Sequence, residues 1–402
     1  TSPVILHIFL WGICGIMTGK TDREKRKEKR KEDYNMTKRI YGSTPKEDGF
    51  YMPGEFEKQD CVWMIWPQRP DNWRSNAAPA QKAYTEVAKA IAQFEPVIML
   101  ASKEQYANCR AQLPEEIRVL EMESDDAWAR DVGPSFLIDG KGTLRACDWT
   151  FNAWGGDVDG LYKPWDKDDR IAGQICEIAG ADSYRTEGFV LEGGSFHVDG
   201  EGTVLTTEMC LLSKGRNPKM TKEQIEKKLC DYLNAEKVIW LKDGIDPEET
   251  NGHVDDVACF TAPGEVACIY TEDENHPFYH AAQEAYRLLS SATDAKGRKL
   301  KVHRVCCTKG NVYLENDFDI ENNASSIDRK GGDLCIASYL NFLIVNGGVI
   351  VPQYGDENDA LALSQIQEMF PDRKVVGVMT REIVYGGGNI HCITQQQPCP
   401  VR

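Results

Sequence analysis

The sequence predicts an α/β fold in which one unit, a strand, a helix and a hairpin, recurs about five times at a period near 60 residues. Two observations support this. Short apolar runs occur in pairs with tight turns between them, and amphipathic runs of helical period alternate with those pairs. Periods of this order are typical of an array or a propeller rather than of one open sheet.

Four hairpins are predicted from their turn residues. The sequences DGKG at residues 139–142 and DGEG at residues 199–202 each separate two apolar runs, as expected for a tight turn between strands. The sequences APGE and NGG occupy the same place in two later pairs. The predicted hairpins are residues 135–144, 195–204, 257–267 and 341–351.

Five helices are predicted from amphipathic runs that lie between these hairpins. Most of the runs lead into a short segment rich in β-branched residues, such as residues 96–100 or 374–378. The predicted helices are residues 81–94, 168–179, 221–233, 278–290 and 360–370.

A candidate nucleophile, Cys392, follows three consecutive glycines at residues 386–388. Glycine offers no side chain for packing, so the run indicates a place where a ligand or another backbone segment approaches closely. A thiol beside such an approach, at the entrance to a short strand, suits a nucleophile. The alternative is a buried structural cysteine, which is the usual role for any one of the 14 cysteines.

The sequence NGHVDD at residues 251–256 offers partners for that thiol. If a strand begins here, His253 and Asp255 share one face and Asp256 points away. The same alternation predicts that His391 faces opposite Cys392 and is not its base.

Two further carboxylates stand beside glycine or proline just ahead of apolar strands. Asp131 lies in WARDVGP at residues 128–134, and Glu192 lies in LEGGS at residues 191–195. Asp131, Glu192 and Asp255 therefore precede successive hairpins, and equivalent strand starts would bring them to one end of a central axis.

These stretches together identify a resemblance that covers the chain from about residue 36 onward. The chain resembles the guanidino-group-modifying enzymes and, within them, the agmatine deiminases (agmatine iminohydrolases), which are related to the peptidylarginine deiminases. The resemblance implies a five-bladed, pseudo-symmetric α/β propeller. The matching stretches are residues 66–74, 128–134, 151–156, 192–196, 253–256 and 386–396.

The resemblance also implies a role for each candidate residue. Asp131 and Asp255 would hold the guanidinium group, Cys392 would add to its carbon, and His253 would act as general acid and then as general base. Glu192 would hydrogen-bond the imidazole and the substrate. The substrate site would also include Trp128 and Gly388. Neither a metal nor a cofactor is required.

Structural alternatives exist for several of these residues. Asp131 could instead pair with the adjacent Arg130 or cap a turn, and Trp128 could simply pack in its loop. His197 lies within a predicted hairpin and is interpreted as a structural histidine. Residues 151–156 are predicted to form a loop that lines the site.

Three other functions can be compared at the sequence level, and two of them are disfavoured. A deiminase on the same scaffold could act on free, peptidyl or methylated arginine, which carry a carboxylate or backbone that agmatine lacks. A non-catalytic binding propeller is disfavoured because Cys392, His253, Glu192 and both aspartates occur in one chain. A papain-like hydrolase is disfavoured because its cysteine normally precedes its histidine.

The first 35 residues are expected to lie outside the working enzyme, as a non-native or untranslated-leader extension. An apolar stretch at residues 3–17 is too short to span a membrane and lacks the features of a signal peptide. The run at residues 20–33 consists mostly of residues that purine-only codons can encode, and Met36 follows it. Residues 36–402 are then predicted to form a single domain.

Charge and cysteine usage indicate the compartment and partners. Residues 36–402 carry 39 basic and 58 acidic side chains, a net charge of −19 compared with −16 for the whole chain. This disfavours nucleic acid and membranes and favours a small cationic substrate, here agmatine. The cysteines include no C-x-x-C motif, which favours the reducing cytoplasm. Homo-oligomers are common in the family, so one is expected.

Overall fold

The strands of the described residues form five separate sheets, three of three strands and two of four. The structure is a computed structural model that describes residues 37–401 except Pro247, Asp317 and Asn322. In each sheet one edge strand is antiparallel to its neighbour. These edge strands are Ser135–Ile138, Phe196–Val198, Ala258–Ala262, Leu343–Val345 and Thr394–Pro398.

The remaining strands of each sheet are parallel to one another. The second strands, in the same order, are Leu144–Thr150, Thr203–Thr207, Glu265–Tyr270, Gly348–Gln353 and Gln59–Ile65. The third strands are Asp182–Val190, Lys237–Leu241, Lys301–Cys306, Lys374–Met379 and Val97–Ala101. Arg39–Ile40 and Arg118–Glu121 add a fourth strand to the first and last sheets.

A helix connects the second strand to the third in every sheet, because parallel strands require a crossover. These helices are Asp168–Ala179, Lys222–Leu233, Tyr279–Ser291, Asp359–Met369 and Ala78–Ala92. The other helices are Pro45–Asp48, Tyr106–Gln112, Ala129–Val132, Gly156–Asp159, Glu208–Leu211 and Arg381–Val384. One-turn 3₁₀ helices span Ser75–Ala77, Gly193–Ser195 and Val254–Asp256.

The helix Lys222–Leu233 illustrates why these segments fold as predicted. Thr221 and Gln224 form a capping box at its start. Its buried residues Ile225, Leu229 and Leu233 recur every four positions and join one apolar cluster with strands of the second sheet. All five predicted helices and all four predicted hairpins are confirmed to within a few residues at their ends.

A short turn or one-turn helix precedes each antiparallel edge strand, and each of these segments carries a polar or thiol side chain. Asp131, Glu192, Asp255, Asn341 and Cys392 all lie two to four residues before their strands. These five side chains therefore occupy equivalent positions in the five units.

Residues Thr37–Arg402 form one compact unit. The prediction for residues 1–35 concerns a part of the chain outside the described residues. Within the described part, none of the helices has both the length and the apolar character that crossing a membrane requires.

Candidate active site

Gly194 lies where three of the predicted side chains converge. Its backbone N–H donates to Asp131 Oδ1 at 2.8 Å. A Cβ atom at this position would lie 2.6 Å from His253 Nδ1 and 2.8 Å from Asp255 Oδ2. Only glycine allows so close an approach, which explains the Gly-Gly pair that follows Glu192.

Cys392 is buried in a turn that ends just before the strand Thr394–Pro398. Its Sγ accepts a hydrogen bond from Asn341 Nδ2 at 3.1 Å and lies 3.8 Å from Asp255 Oδ2. A Cβ atom on Gly388 would lie 3.0 Å from this Sγ and 2.6 Å from the ring of Trp128. Gly388 is therefore needed for the thiol and the indole to pack side by side.

The two other glycines of the run also make room for side chains. A Cβ atom on Gly386 would overlap the ring of Trp73, and one on Gly387 would overlap the carboxylate of Glu249. Gly387 also has a positive φ of 108°. The glycine run is thus explained by neighbouring side chains, not by the approach of another backbone segment.

No strand begins at His253, which was the condition for the predicted alternation of residues 253–256. His253 precedes the 3₁₀ turn Val254–Asp256, and the strand begins only at Ala258. Strand alternation therefore does not apply here. His253 and Asp255 still reach the same site, but Asp256 does not point away from it: its Oδ1 accepts a hydrogen bond at 2.9 Å from Asn341, the residue that also contacts Cys392.

His253 lies between two carboxylates. Its Nδ1 is 3.9 Å from Asp131 Oδ2, and its Nε2 is 3.7 Å from Glu192 Oε2. These are ion-pair distances, longer than hydrogen bonds. Burial opposes the charged imidazole, yet Asp131, the Cys210 thiol and Glu192 raise the pKa of His253 well above its ordinary value. These neighbours therefore favour the protonated imidazole.

Glu192 is held by a residue that the sequence analysis did not identify. Arg216 Nε donates to Glu192 Oε1 at 2.8 Å, and both side chains are fully buried. Although burial favours the neutral acid, Arg216 and His253 lower the pKa of Glu192 below its ordinary value. The second oxygen, Oε2, has no hydrogen-bond partner among the described residues and faces His253.

Asp131 is held by the loop at residues 151–156. Trp154 Nε1 donates to Asp131 Oδ2 at 2.9 Å, which gives that loop a definite contact with the site. The predicted alternative, a pair between Asp131 and Arg130, is wrong, because Arg130 Nη1 bonds Glu55 at 3.0 Å. Burial raises the pKa of Asp131, and Asp255 and Glu192 add to the effect, while His253 opposes it.

Asp255 and His391 form a second buried contact. His391 Nδ1 is 2.8 Å from Asp255 Oδ2, and His391 Nε2 is 2.9 Å from Glu55 Oε1. Both ring nitrogens of His391 therefore contact carboxylates, while its exclusion as the base for Cys392 stays a prediction, since residues 391 and 392 precede the strand on which that prediction depended. His197 is also buried, with its Nδ1 accepting from the N–H of Phe260 at 3.3 Å, which agrees with a structural role.

A pocket in the described part of the chain leads to Cys392. Of the predicted residues it is lined by Trp128, Asp131, Gly388 and Cys392, while His253, Glu192 and Asp255 lie behind that wall. Trp128 stacks against Trp73 with the ring centroids 5.2 Å apart, and both indoles donate to Asp126. The predicted placement of Trp128 at the channel wall is thus observed.

The two cationic side chains among the described residues of the pocket wall are each neutralised. Arg69 makes two hydrogen bonds of 2.7 Å to Asp71. Arg329 makes two hydrogen bonds to Glu249, of 2.5 and 2.7 Å. The wall also carries Asp126 and Asp131. The pocket therefore favours a cation and offers no unpaired positive charge to an anion.

The surroundings of Cys392 disfavour its thiolate. Burial raises the pKa of Cys392 well above its ordinary value, and Asp255, Asp256 and Asp131 add to this effect. A cation that enters beside these carboxylates would offset their charge and favour the thiolate.

Three residues of the site were not predicted from the sequence. Asn341 opens the fourth predicted hairpin at the place where Asp131, Glu192 and Asp255 precede theirs, so the repeat itself could have identified it. Glu55 and Arg216 lie outside the repeated motifs and carry no comparable signal.

The comparisons with known proteins agree with this geometry. A family model described as Porphyromonas-type peptidyl-arginine deiminase matches residues 51–398. The agmatine deiminase of Ectopseudomonas mendocina is 51% identical over 361 residues, which is 89% of this chain and 98% of the relative.

Solved structures extend the comparison. The structure of the agmatine deiminase of Enterococcus faecalis is 68% identical, with a TM-score of 0.90 over 91% of this chain and 100% of that chain. A cysteine-to-serine variant of the C. jejuni agmatine deiminase, with substrate bound, is 25% identical, with a TM-score of 0.74 over 88% of this chain and 97% of that chain. The chain therefore belongs to the Porphyromonas-type peptidyl-arginine deiminase family and, within it, to the agmatine deiminases, which are hydrolytic enzymes.

Proposed function

We propose that this protein hydrolyses agmatine to N-carbamoylputrescine and ammonia through a covalent intermediate on Cys392. The observation that carries the proposal is the convergence of two aspartates and a carboxylate-flanked histidine around Gly194, with the Cys392 thiol 3.8 Å from one of these aspartates and in the wall of an acidic pocket. The relatives named as agmatine deiminases support the choice of substrate.

Asp131 and Asp255 bind the guanidinium group in this proposal. A planar guanidinium offers paired N–H donors that match carboxylate oxygens. Asp255 Oδ1 has no hydrogen-bond partner among the described residues, and Asp131 lines the pocket. Trp128 and Gly388 provide the wall along which the substrate reaches Cys392.

The first chemical step is addition of the Cys392 thiolate to the guanidinium carbon. The arriving cation neutralises the aspartates that raise the pKa of Cys392, so the substrate itself favours the ionised thiol, whose proton passes to solvent. The addition gives a tetrahedral carbon that bears sulfur and three nitrogens. Its breakdown expels one nitrogen as ammonia and leaves a thiouronium on Cys392.

His253 supplies and then removes the protons. Its imidazolium protonates the departing nitrogen, and the neutral imidazole then takes a proton from the water that attacks the thiouronium carbon. The second tetrahedral species expels the thiolate and leaves the ureido product. Glu192, held by Arg216, stabilises the imidazolium from 3.7 Å.

The paired cations of the pocket support a preference for agmatine over arginine. Arginine carries a carboxylate that would need a positive partner, and both Arg69 and Arg329 are already engaged by acidic side chains. Burying an unpaired carboxylate costs several kcal/mol. We therefore expect a preference for agmatine of at least about two orders of magnitude in kcat/KM.

The test is steady-state ammonia release from agmatine, arginine and a peptidyl-arginine in parallel. Comparable kcat/KM values for agmatine and arginine would contradict the substrate while leaving the deiminase chemistry intact. No ammonia release from any of the three would contradict the function itself.

We also propose that the five sheets are blades of one pseudo-symmetric propeller. The recurring strand order and the equal placement of Asp131, Glu192, Asp255, Asn341 and Cys392 support this arrangement.

Residues 36–402 would form the working domain, in a cytoplasmic homo-oligomer. A chain that begins at Met36 should match the full chain in activity and thermal midpoint, and a clear loss of either would contradict this boundary.

A further inference from the structure

Behind Asp255 lies a buried group of charged side chains that does not line the pocket. His391 bridges the carboxylates of Asp255 and Glu55, and Glu55 also bonds Arg130 at 3.0 Å. Each of these four side chains is at most 5% exposed. A buried charge is costly unless it is paired, so this group must be balanced within itself.

The hydrogen-bond geometry determines the charge on His391. Its Nδ1 lies 2.8 Å from Asp255 Oδ2, and its Nε2 lies 2.9 and 3.1 Å from the two oxygens of Glu55. An ionised carboxylate can only accept, so both ring nitrogens must carry hydrogen. His391 is therefore an imidazolium, and two cations, His391 and Arg130, balance Glu55 and Asp255.

The surrounding groups support this assignment. Burial and Arg130 oppose the charge, but Glu55 and Asp255 raise the pKa of His391 above its ordinary value. The adjacent His197 stacks on His391 with the ring centroids 6.1 Å apart, and its Nε2 lies 3.5 Å from Glu55. Cys259 lies near both carboxylates, and burial together with their charge raises its pKa, so it is a neutral thiol.

The contact with His391 leaves one oxygen of Asp255 available. Oδ2 accepts from His391, whereas Oδ1 has no hydrogen-bond partner among the described residues. The carboxylate is fixed by a charged donor on one side, so its second oxygen has a defined direction.

We propose that His391, held in turn by Glu55, is a positioning residue that keeps Asp255 negatively charged and oriented to bind the substrate guanidinium. This inference rests on the proposed function, because it assigns Asp255 to guanidinium binding. Neither His391 nor Glu55 touches the substrate; each acts through Asp255.

A metal site is the competing interpretation of the same side chains. Glu55, His197 and His391 offer ligand atoms that all lie within 4.8 Å of one another. However, a metal would need ring lone pairs, and both nitrogens of His391 face carboxylate oxygens as hydrogen donors. His197 Nδ1 accepts from Phe260 N–H, so its other nitrogen carries the hydrogen that faces Glu55.

The experiment compares His391→Gln and Glu55→Gln with a matched control, His197→Gln, which alters a buried histidine beside Glu55 that does not contact Asp255. Agmatine affinity is measured by calorimetry in a Cys392→Ser background, and kcat/KM for agmatine is measured across pH. We expect His391→Gln to weaken agmatine binding by roughly 10- to 100-fold, as loss of an outer-shell partner does. His197→Gln should stay within about threefold of the parent.

The pH dependence of kcat/KM distinguishes a positioning role from a purely structural one, because a purely structural role would leave it unchanged. Loss of the Glu55 carboxylate lowers the pKa of His391, so Asp255 loses its cationic partner at a lower pH. The alkaline limb of kcat/KM in Glu55→Gln should therefore shift to lower pH by about one unit or more.

The outcomes separate this inference from the proposed function. A wild-type protein without activity on agmatine contradicts the function. An active wild type whose His391 and Glu55 variants keep the parental affinity and pH profile contradicts the positioning role, as does an equal loss in all three variants. If the two variants do not fold, nitrogen-15 NMR of histidine-labelled wild type decides: the ring of His391 should carry hydrogen on both nitrogens at the pH where the enzyme is active, and a neutral His391 would contradict the inference.

Discussion

Gly194 sets how closely the reacting groups can approach one another. A methyl group here would lie within 2.6 to 3.1 Å of His253, Asp255 and Asp131. Gly194→Ala should therefore lower kcat/KM for agmatine by about 100-fold, since displacing reacting groups by an ångström can cost that much. Gly310→Ala is the matched control, because its nearest neighbour would be 3.6 Å away. Equal activity in the two variants would contradict this view of the site.

The second prediction at this scale concerns the nucleophile. Cys392→Ser should reduce turnover of agmatine by at least about 1000-fold while agmatine still binds, because a serine alkoxide is far harder to form than a thiolate. Calorimetry and ammonia release measure the two effects separately. Cys399→Ser, at a half-buried cysteine outside the site, is the control.

Mass spectrometry of the wild-type protein, quenched during turnover, tests the same assignment directly. A substrate-derived adduct is expected on the peptide that contains Cys392. An adduct on another cysteine, or a serine variant with near-normal turnover, would contradict it.

At the scale of elements, the site depends on short turns that join the five units. Local sequence predicted the helices and hairpins because their patterns of apolar residues and turn residues are local. It could not predict that His253 precedes a 3₁₀ turn, since three residues of sequence do not distinguish that turn from the start of a strand. Glu55 and Arg216 were missed because pairing between residues far apart in the chain leaves no local pattern.

The pair between Glu249 and Arg329 joins two loops at the pocket and gives a prediction about specificity. Glu249→Gln removes the carboxylate that neutralises Arg329, so the pocket gains a free cation. We expect kcat/KM to fall for agmatine and the ratio of arginine to agmatine activity to rise about tenfold.

The control for this change is Glu315→Gln, which alters an ion pair with Arg74, a residue that does not line the pocket. Ammonia release from both substrates by both variants provides the comparison. An unchanged ratio in Glu249→Gln would show that Arg329 does not influence the substrate.

At the scale of the whole molecule, the net charge of −16 should attract a substrate that is cationic at both ends. Raising the salt from about 20 to about 300 mM should lower kcat/KM for agmatine several-fold, because salt screens exposed charges. The value of kcat should change little, since the bound substrate is shielded from solvent. A kcat/KM that does not depend on salt would contradict electrostatic attraction at long range.

The last strand of the chain, Thr394–Pro398, pairs with Gln59–Ile65 near the start of the described residues. Cys392 lies two residues before this strand and so takes its place only when the strand docks. The antiparallel edge strands of the other four sheets all precede Cys392 in the chain, so they are synthesised before it. A chain in which this strand has not docked on Gln59–Ile65 thus lacks the fixed position of the Cys392 thiol, and the proposed site is incomplete.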